Sequence, residues 1–312
     1  DGDGIADEYD ANPLEADSGN TGGGTSPPPP PPATTITIDG SGVKGPMAFA
    51  EVKLYRLDTT KTDFKGSLVS TASTDASAQI DGLSLGFPLN PPYILEIKGQ
   101  GGTIDITTGA YPVIDVLRTV LTQEMLDAGE QVYATPLTTM AVDMAFSNAD
   151  SNTLPFTGDN NSTTSTVEVI NALPIAAEQV KSTLGFGLGE DVDIFDTPPL
   201  IDSTSDTAAE QSDTTAYRSA VEALTAVVYQ MQQLSGDTEN STADILSDLT
   251  SDLSDGEIDG KVDGVETATY PVEALEVLEQ DPSTLEIPGT GGQTVADVKA
   301  MVVAETTATG ST

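Results

Sequence analysis

The sequence predicts a multidomain α+β chain, with a small antiparallel β-sandwich followed by an α-helical domain and an acidic N-terminal segment ahead of both. Residues 34–108 alternate apolar and polar side chains at the two-residue period of strands, and from residue 109 the apolar spacing changes to three and four. A run of glycine and proline at residues 22–33 sets the first 21 residues apart. Charge follows the same borders. Residues 1–33 carry seven acids and no base, residues 34–108 eight acids and six bases, and residues 109–312 hold 35 acids against five bases. Bases segregated in this way indicate modules built separately.

The linker is read first. Gly22-Gly23-Gly24-Thr25-Ser26 is a flexible hinge, and Pro27 to Pro32 form a polyproline II rod of roughly 19 Å. Strands follow at Thr35-Ile36-Thr37-Ile38 and at residues 50–57, where Val52, Leu54 and Leu57 face in and Lys53 and Arg56 face out. Similar runs occupy residues 67–70, 78–83, 93–97 and 103–106, with Gly or Pro in the gaps, as expected of a small sandwich. Beyond 109, Ile114, Leu117, Val120 and Leu121 recur at helical spacing, as do Leu137, Met140, Ala141 and Met144 behind a helix-starting Pro136. Further helices are expected near 165–184, 207–234, 243–253, 271–280 and 294–305. Tyr217, Val221, Leu224, Val227, Val228 and Met231 make one core-facing stripe. Residues 150–161 and 186–205 read as loops, and the tail from Thr306 as a Thr-rich linker.

Composition removes most chemistries. The chain has 312 residues, 50 Asp plus Glu, 11 Lys plus Arg, and no His, Cys or Trp, for a formal net charge of −39. Without His or Cys there is no Ser-His-Asp or Cys-His nucleophile system, no zinc site of the usual ligand type and no thiolate-held cluster. A surface this negative repels phosphate backbones and anionic headgroups, so no nucleic acid is expected as partner. No apolar run reaches the length of a membrane span, and direct membrane insertion is not expected. The opening Asp1-Gly2-Asp3 has neither a basic start nor an apolar signal core, as expected of a processed form. Paired carboxylates alone could run glycoside hydrolysis, but the aromatic platforms for sugar are missing, and no enzyme is expected. Cations, above all calcium, remain attractive.

Two segments place carboxylates as a calcium loop does. In Asp1-Gly2-Asp3-Gly4-Ile5-Ala6-Asp7-Glu8-Tyr9-Asp10, oxygens at alternate positions converge, Gly4 supplies the turn, and Asp1, Asp3, Ile5 (through its backbone carbonyl), Asp7 and Asp10 are the candidate ligands. The loop's first position lies before Asp1. Asp255, Glu257, Asp259, Asp263 and Glu266 occupy positions 1, 3, 5, 9 and 12 of an EF-hand, with Gly260 at position 6 and Val262 at the buried position 8. Paired glycines and aspartates also end helices, so a helix-terminating turn is the other reading. Glu190-Asp191-Val192-Asp193 with Asp196 lacks a turning glycine and reads as solvated loop surface. Asn161-Ser162-Thr163 and Asn240-Ser241-Thr242 are glycosylation sequons.

The first of these segments resembles a thrombospondin type 3 calcium repeat. Residues 34–108 resemble the carboxypeptidase-regulatory-like or transthyretin-like (Ig-like) sandwiches of bacterial surface proteins, through Gly42-Val43-Lys44-Gly45-Pro46 before residues 50–55 and through Tyr93-Ile94-Leu95-Glu96-Ile97. The helical region resembles a domain that follows such sandwiches in secreted and surface lipoproteins. Residues 132–141 and 252–260 carry that likeness. The resemblances imply an exported bacterial protein, extracellular or at the cell surface, with architecture rather than chemistry in common. The expectation is a non-enzymatic calcium-binding subunit of an extracellular filament or matrix, its partners copies of itself and calcium ions. A monomeric cell-surface adhesin that binds a surface glycan or protein is the alternative.

Overall fold

The computed structural model describes residues 35–201, 205, 207–236, 241–262, 264–266 and 269–309. The acidic N-terminal segment and the linker, with candidate ligands Asp1, Asp3, Ile5, Asp7 and Asp10, lie outside the described residues, as does Asp263. Two units, Asp1–Thr35 and Ile36–Thr312, divide the chain, and apart from Thr35 every described residue is in the second.

That unit is mixed α/β. The strands are β1 (Thr35–Thr37), β2 (Gly40–Gly42), β3 (Met47–Ala48), β4 (Glu51–Leu57), β5 (Lys65–Thr74), β6 (Ile80–Asp81), β7 (Ser84–Gly86), β8 (Tyr93–Lys98), β9 (Ile104–Asp105) and β10 (Val116–Leu121). Then come α1 (Gln123–Ala128), β11 (Val132–Ala134), α2 (Pro136–Asn148), α3 (Thr166–Leu184), α4 (Ala208–Ser235), α5 (Thr242–Asp252), the hairpin β12 (Lys261–Val262) and β13 (Val265–Glu266), and α6 (Val298–Thr309). Five strands form one antiparallel sheet in the order β10-β8-β4-β5-β6. Small pairings of β1 with β7, β2 with β11 and β3 with β9 close around it. Register follows the alternation. Val52 lies opposite Ile97, which lies opposite Leu117, and all three are fully buried. One residue along, Lys53, Glu96 and Arg118 form a row of alternating charge, with Arg118 also 3.0 Å from Asp143 of α2.

Helical spacing at Ile114, Leu117, Val120 and Leu121 is corrected here: Val116–Leu121 is strand β10. Thr119, Val120 and Leu121 are all buried, so the strand is covered on both faces and loses the alternation that would have distinguished it from a helix. The 108/109 border also falls inside the second unit, because β10 joins the sheet through β8. One contiguous hydrophobic core runs from Ile38 and Val52 of the sheet region through α2 to Val302 of α6. Helix α2 is at its centre, buried along nearly its whole length, as expected of a helix apolar on every side.

The first turn of α2 stitches sheet to helices. Thr135 is its N-cap, accepting from the Thr138 N–H in a capping box, and Pro136 takes the position that needs no N–H. The Thr138 hydroxyl donates to the Arg118 carbonyl (2.7 Å), and Arg118 N–H donates to the Thr139 hydroxyl (2.9 Å). The Thr-Pro-Leu-Thr-Thr stretch thus caps a helix and pins it to β10. Helices α3, α4 and α5 begin where expected, each on a Ser or Thr capping box. Residues 272–279 form a 3₁₀ helix rather than an α-helix, and residues 295–297 form a 3₁₀ turn leading into α6. The Thr-rich tail is corrected too: α6 continues to Thr309, with Glu305 buried.

Candidate functional site

A groove of about 820 Å³ opens between α1, α3 and the loop at residues 190–196. Its floor is apolar. Val120 at the end of β10, Leu173 and Ala177 of α3, and Val192 and Ile194 of the loop contribute to it, and all but half-buried Ala177 are buried core residues. Ile170 of α3 lines the same groove and is 41% exposed. Pro174 sits inside α3 on the lining, so the Ile170 carbonyl has no N–H four residues on to accept from.

The rim is acidic on three walls. Glu124 stands in the first turn of α1 and Glu130 just beyond its end, Glu178 is on α3, and Glu190, Asp191, Asp193 and Asp196 come from the loop. Partial desolvation pushes the Glu130 carboxyl above its usual range, and the Asp196 carboxylate beside it adds to the shift. Lys181 is the basic residue of the lining, and its ammonium is committed. It pairs with Glu178 at 2.8 Å and donates to the carbonyls of Glu190 (3.1 Å) and Val192 (3.3 Å), holding the loop to α3.

The opposite side of the loop is fixed from the core. The Tyr217 hydroxyl of α4 donates to the Ile194 carbonyl (2.7 Å) and lies 3.0 Å from the Thr135 hydroxyl. Burial pushes this phenol well above its ordinary range, so it remains a donor at every working pH. Sequence reading places Glu190, Asp191, Asp193 and Asp196 on a solvated loop, and they are exposed. What it misses is that they wall a groove, because the other walls come from residues 120–130 and 170–181.

At 255–266 the structure places a helix end and a hairpin. Asp252, at the end of α5 and fully buried, organises the segment: its carboxylate accepts from the N–H groups of Asp259 (3.1 Å), Gly260 (2.9 Å) and Lys261 (3.3 Å) and from the Tyr270 hydroxyl (2.9 Å). Asp255 accepts from the Glu257 N–H, Asp259 pairs with Lys261 at 3.0 Å, and Glu266 stands opposite Lys261 in the hairpin. Among the described residues, Asp255, Glu257, Asp259 and Glu266 are not gathered as a set of three around one point.

The carboxylates that are gathered are Asp150, Asp159 and Glu168, whose oxygens lie within 4.8 Å of one another. All six oxygens already accept hydrogen bonds, among them Asn161 and Ser162 N–H to Asp150, Asp159 N–H to Glu168, and Ser165 to Glu168. The loop is therefore closed by N–H and hydroxyl donors onto the cap of α3. The Ser165 hydroxyl and backbone N–H, with the Asp159 N–H, hold Glu168 below the usual carboxylate range. Asn161 of the first sequon spends its amide on Asp159 (2.6 Å).

A second acidic and basic cluster is sealed in the core. Lys44 contacts Asp105 (3.1 Å) and Glu222 (3.5 Å), and Arg218 contacts Glu222 (2.9 Å) and grips Glu305 through both terminal nitrogens (2.7 and 2.9 Å). All five side chains are buried. Desolvation pushes the Glu222 carboxyl up, against the pull of Lys44 and Arg218. For Lys44 the balance is reversed: burial disfavours the ammonium, but Glu222 and Asp105 outweigh it and raise its pKa. With no solvent path, this cluster joins the β2–β3 turn, β9, α4 and α6 and offers no surface to a ligand.

Among the described residues no helix is long and apolar enough to cross a membrane. No protein-family model, curated protein or solved structure matches the chain.

Proposed function

We propose that this protein is a non-enzymatic exported structural protein, a calcium-binding subunit that assembles with copies of itself outside the cell. A sandwich-and-helix surface protein of the transthyretin-like type is the architecture this reading carries with it. The observation that supports it most is how the positive charge is used. Among the described residues seven of the eleven basic side chains are in ion pairs with carboxylates, and the chain as a whole stands at −39.

Like-charged subunits of this kind repel at separations below the Debye length of about 8 Å at physiological salt. Bound cations relieve that repulsion, and Asp1, Asp3, Asp7 and Asp10 form the densest calcium-loop pattern in the sequence. The test is negative-stain imaging and sedimentation of the full chain with millimolar calcium and after chelation, for the native protein and for Asp3→Asn/Asp7→Asn/Asp10→Asn. Polymers that dissolve on chelation and fail in the triple variant are the expected result. Polymers indifferent to both remove calcium from the reading, and monomers throughout replace it with the monomeric binding module.

A further inference from the structure

We infer that the groove between α1, α3 and the 190–196 loop docks a basic peptide segment of a partner protein, one that carries Lys or Arg side chains on either side of apolar ones. This goes beyond calcium-dependent assembly and does not depend on it.

Charge complementarity selects the occupant. The walls supply seven carboxylates and one ammonium, and that ammonium is spent on Glu178 and two loop carbonyls. A ligand therefore has to bring donors and positive charge. Because the acids stand on three separate elements, several charges spaced along a chain satisfy them better than one compact cation.

The floor selects for more than charge. Ile170 stands 41% exposed, Pro174 is exposed, and Met125, Ala177 and Phe195 are half-buried, so apolar side chains of the ligand have surface to cover. The walls are preorganised as well. Lys181 and Tyr217 fix the loop from opposite sides, so docking orders little of this chain, which lowers the entropic cost of binding. A solvated acidic face would need neither the apolar floor nor a loop held this way.

The probe is a short fluorescent peptide of alternating Lys and Leu, titrated by anisotropy into the full chain at low salt with chelator present. Saturable binding is expected, with affinity falling as salt rises. Glu124→Gln/Glu130→Gln/Asp196→Asn changes three exposed rim acids to neutral isosteres and should weaken binding roughly tenfold. Glu273→Gln/Glu276→Gln/Glu279→Gln, which removes the same charge from the exposed face of the 272–279 helix, should leave it within about twofold. Photo-crosslinks from the peptide to the native chain should fall at residues 120–130, 170–181 and 190–196, a readout independent of how the variants fold. The inference is overturned by no saturable binding, by equal weakening in both triple variants, by crosslinks elsewhere, or by a Lys-Gly peptide binding as tightly as the Lys-Leu one.

Discussion

Lys44 shows what one buried charge does. Its ammonium has no solvent and two carboxylates, so removing it leaves Asp105 buried without its cation and Glu222 with Arg218 alone. Lys44→Met should cost about 3–5 kcal/mol, the usual penalty for breaking a buried pair from one side, read as a lower urea midpoint. Gly45 next to it has no room for a side chain: a Cβ would stand 1.9 Å from Asp105 Oδ1, so Gly45→Ala should displace Asp105 and lower Tm as well. Glu222 carries the pH dependence of the cluster. Its carboxyl is raised in the folded state, so its contribution is complete below the ordinary glutamate pKa and is lost as pH rises through the raised value. Glu222→Gln should therefore be relatively more stable at alkaline than at acid pH, compared with the native chain. Melting curves at a series of pH values check the sign.

At the scale of elements, capping decides where the helices begin. Ser165 accepts from the Glu168 N–H (3.2 Å) and donates its hydroxyl to the Glu168 carboxylate (2.7 Å), so Ser165→Ala should cost about 1 kcal/mol in denaturant unfolding. Glu168 is held below its ordinary pKa, so its contribution exists above the unfolded value and fades as pH falls through the folded one. The Ser165→Ala difference should shrink in acid. For the loop at 190–196, Tyr217→Phe removes the hydroxyl that holds Ile194 and leaves a buried carbonyl without that donor. A loss of about 1–3 kcal/mol is expected, with faster amide exchange at residues 190–196.

For the whole molecule the dominant quantity is −39. Self-repulsion at that charge opposes the compact state, so monovalent salt should raise Tm steadily over the range where the Debye length shortens. Calcium at equal ionic strength should raise it further if the carboxylates bind the ion specifically, by linkage to the folded state. Calorimetry of the native chain in sodium chloride and in calcium chloride of matched ionic strength separates the two effects. Equal shifts in the two salts assign the whole effect to screening.

Local physics was legible in the sequence wherever a segment settles its own conformation. Strands at residues 51–57 and 93–98 alternate or run apolar between turn residues, and the starts of α2, α3, α4 and α5 follow from Ser or Thr with a partner three residues on. The charge balance and the classes of chemistry it removes are likewise properties of composition alone. Tertiary structure decided the rest, because the deciding contacts are distant in sequence. Residues 116–121 are a strand because β8 pairs along one edge of it and the first turn of α2 is hydrogen-bonded to its backbone, not because of their own spacing. Asp252 is a hub of the 255–266 segment that sequence spacing did not single out, since only the folded chain brings Gly260 and Tyr270 to it. The groove exists for the same reason: three stretches distant in sequence, 120–130, 170–181 and 190–196, come together once the core has formed around α2.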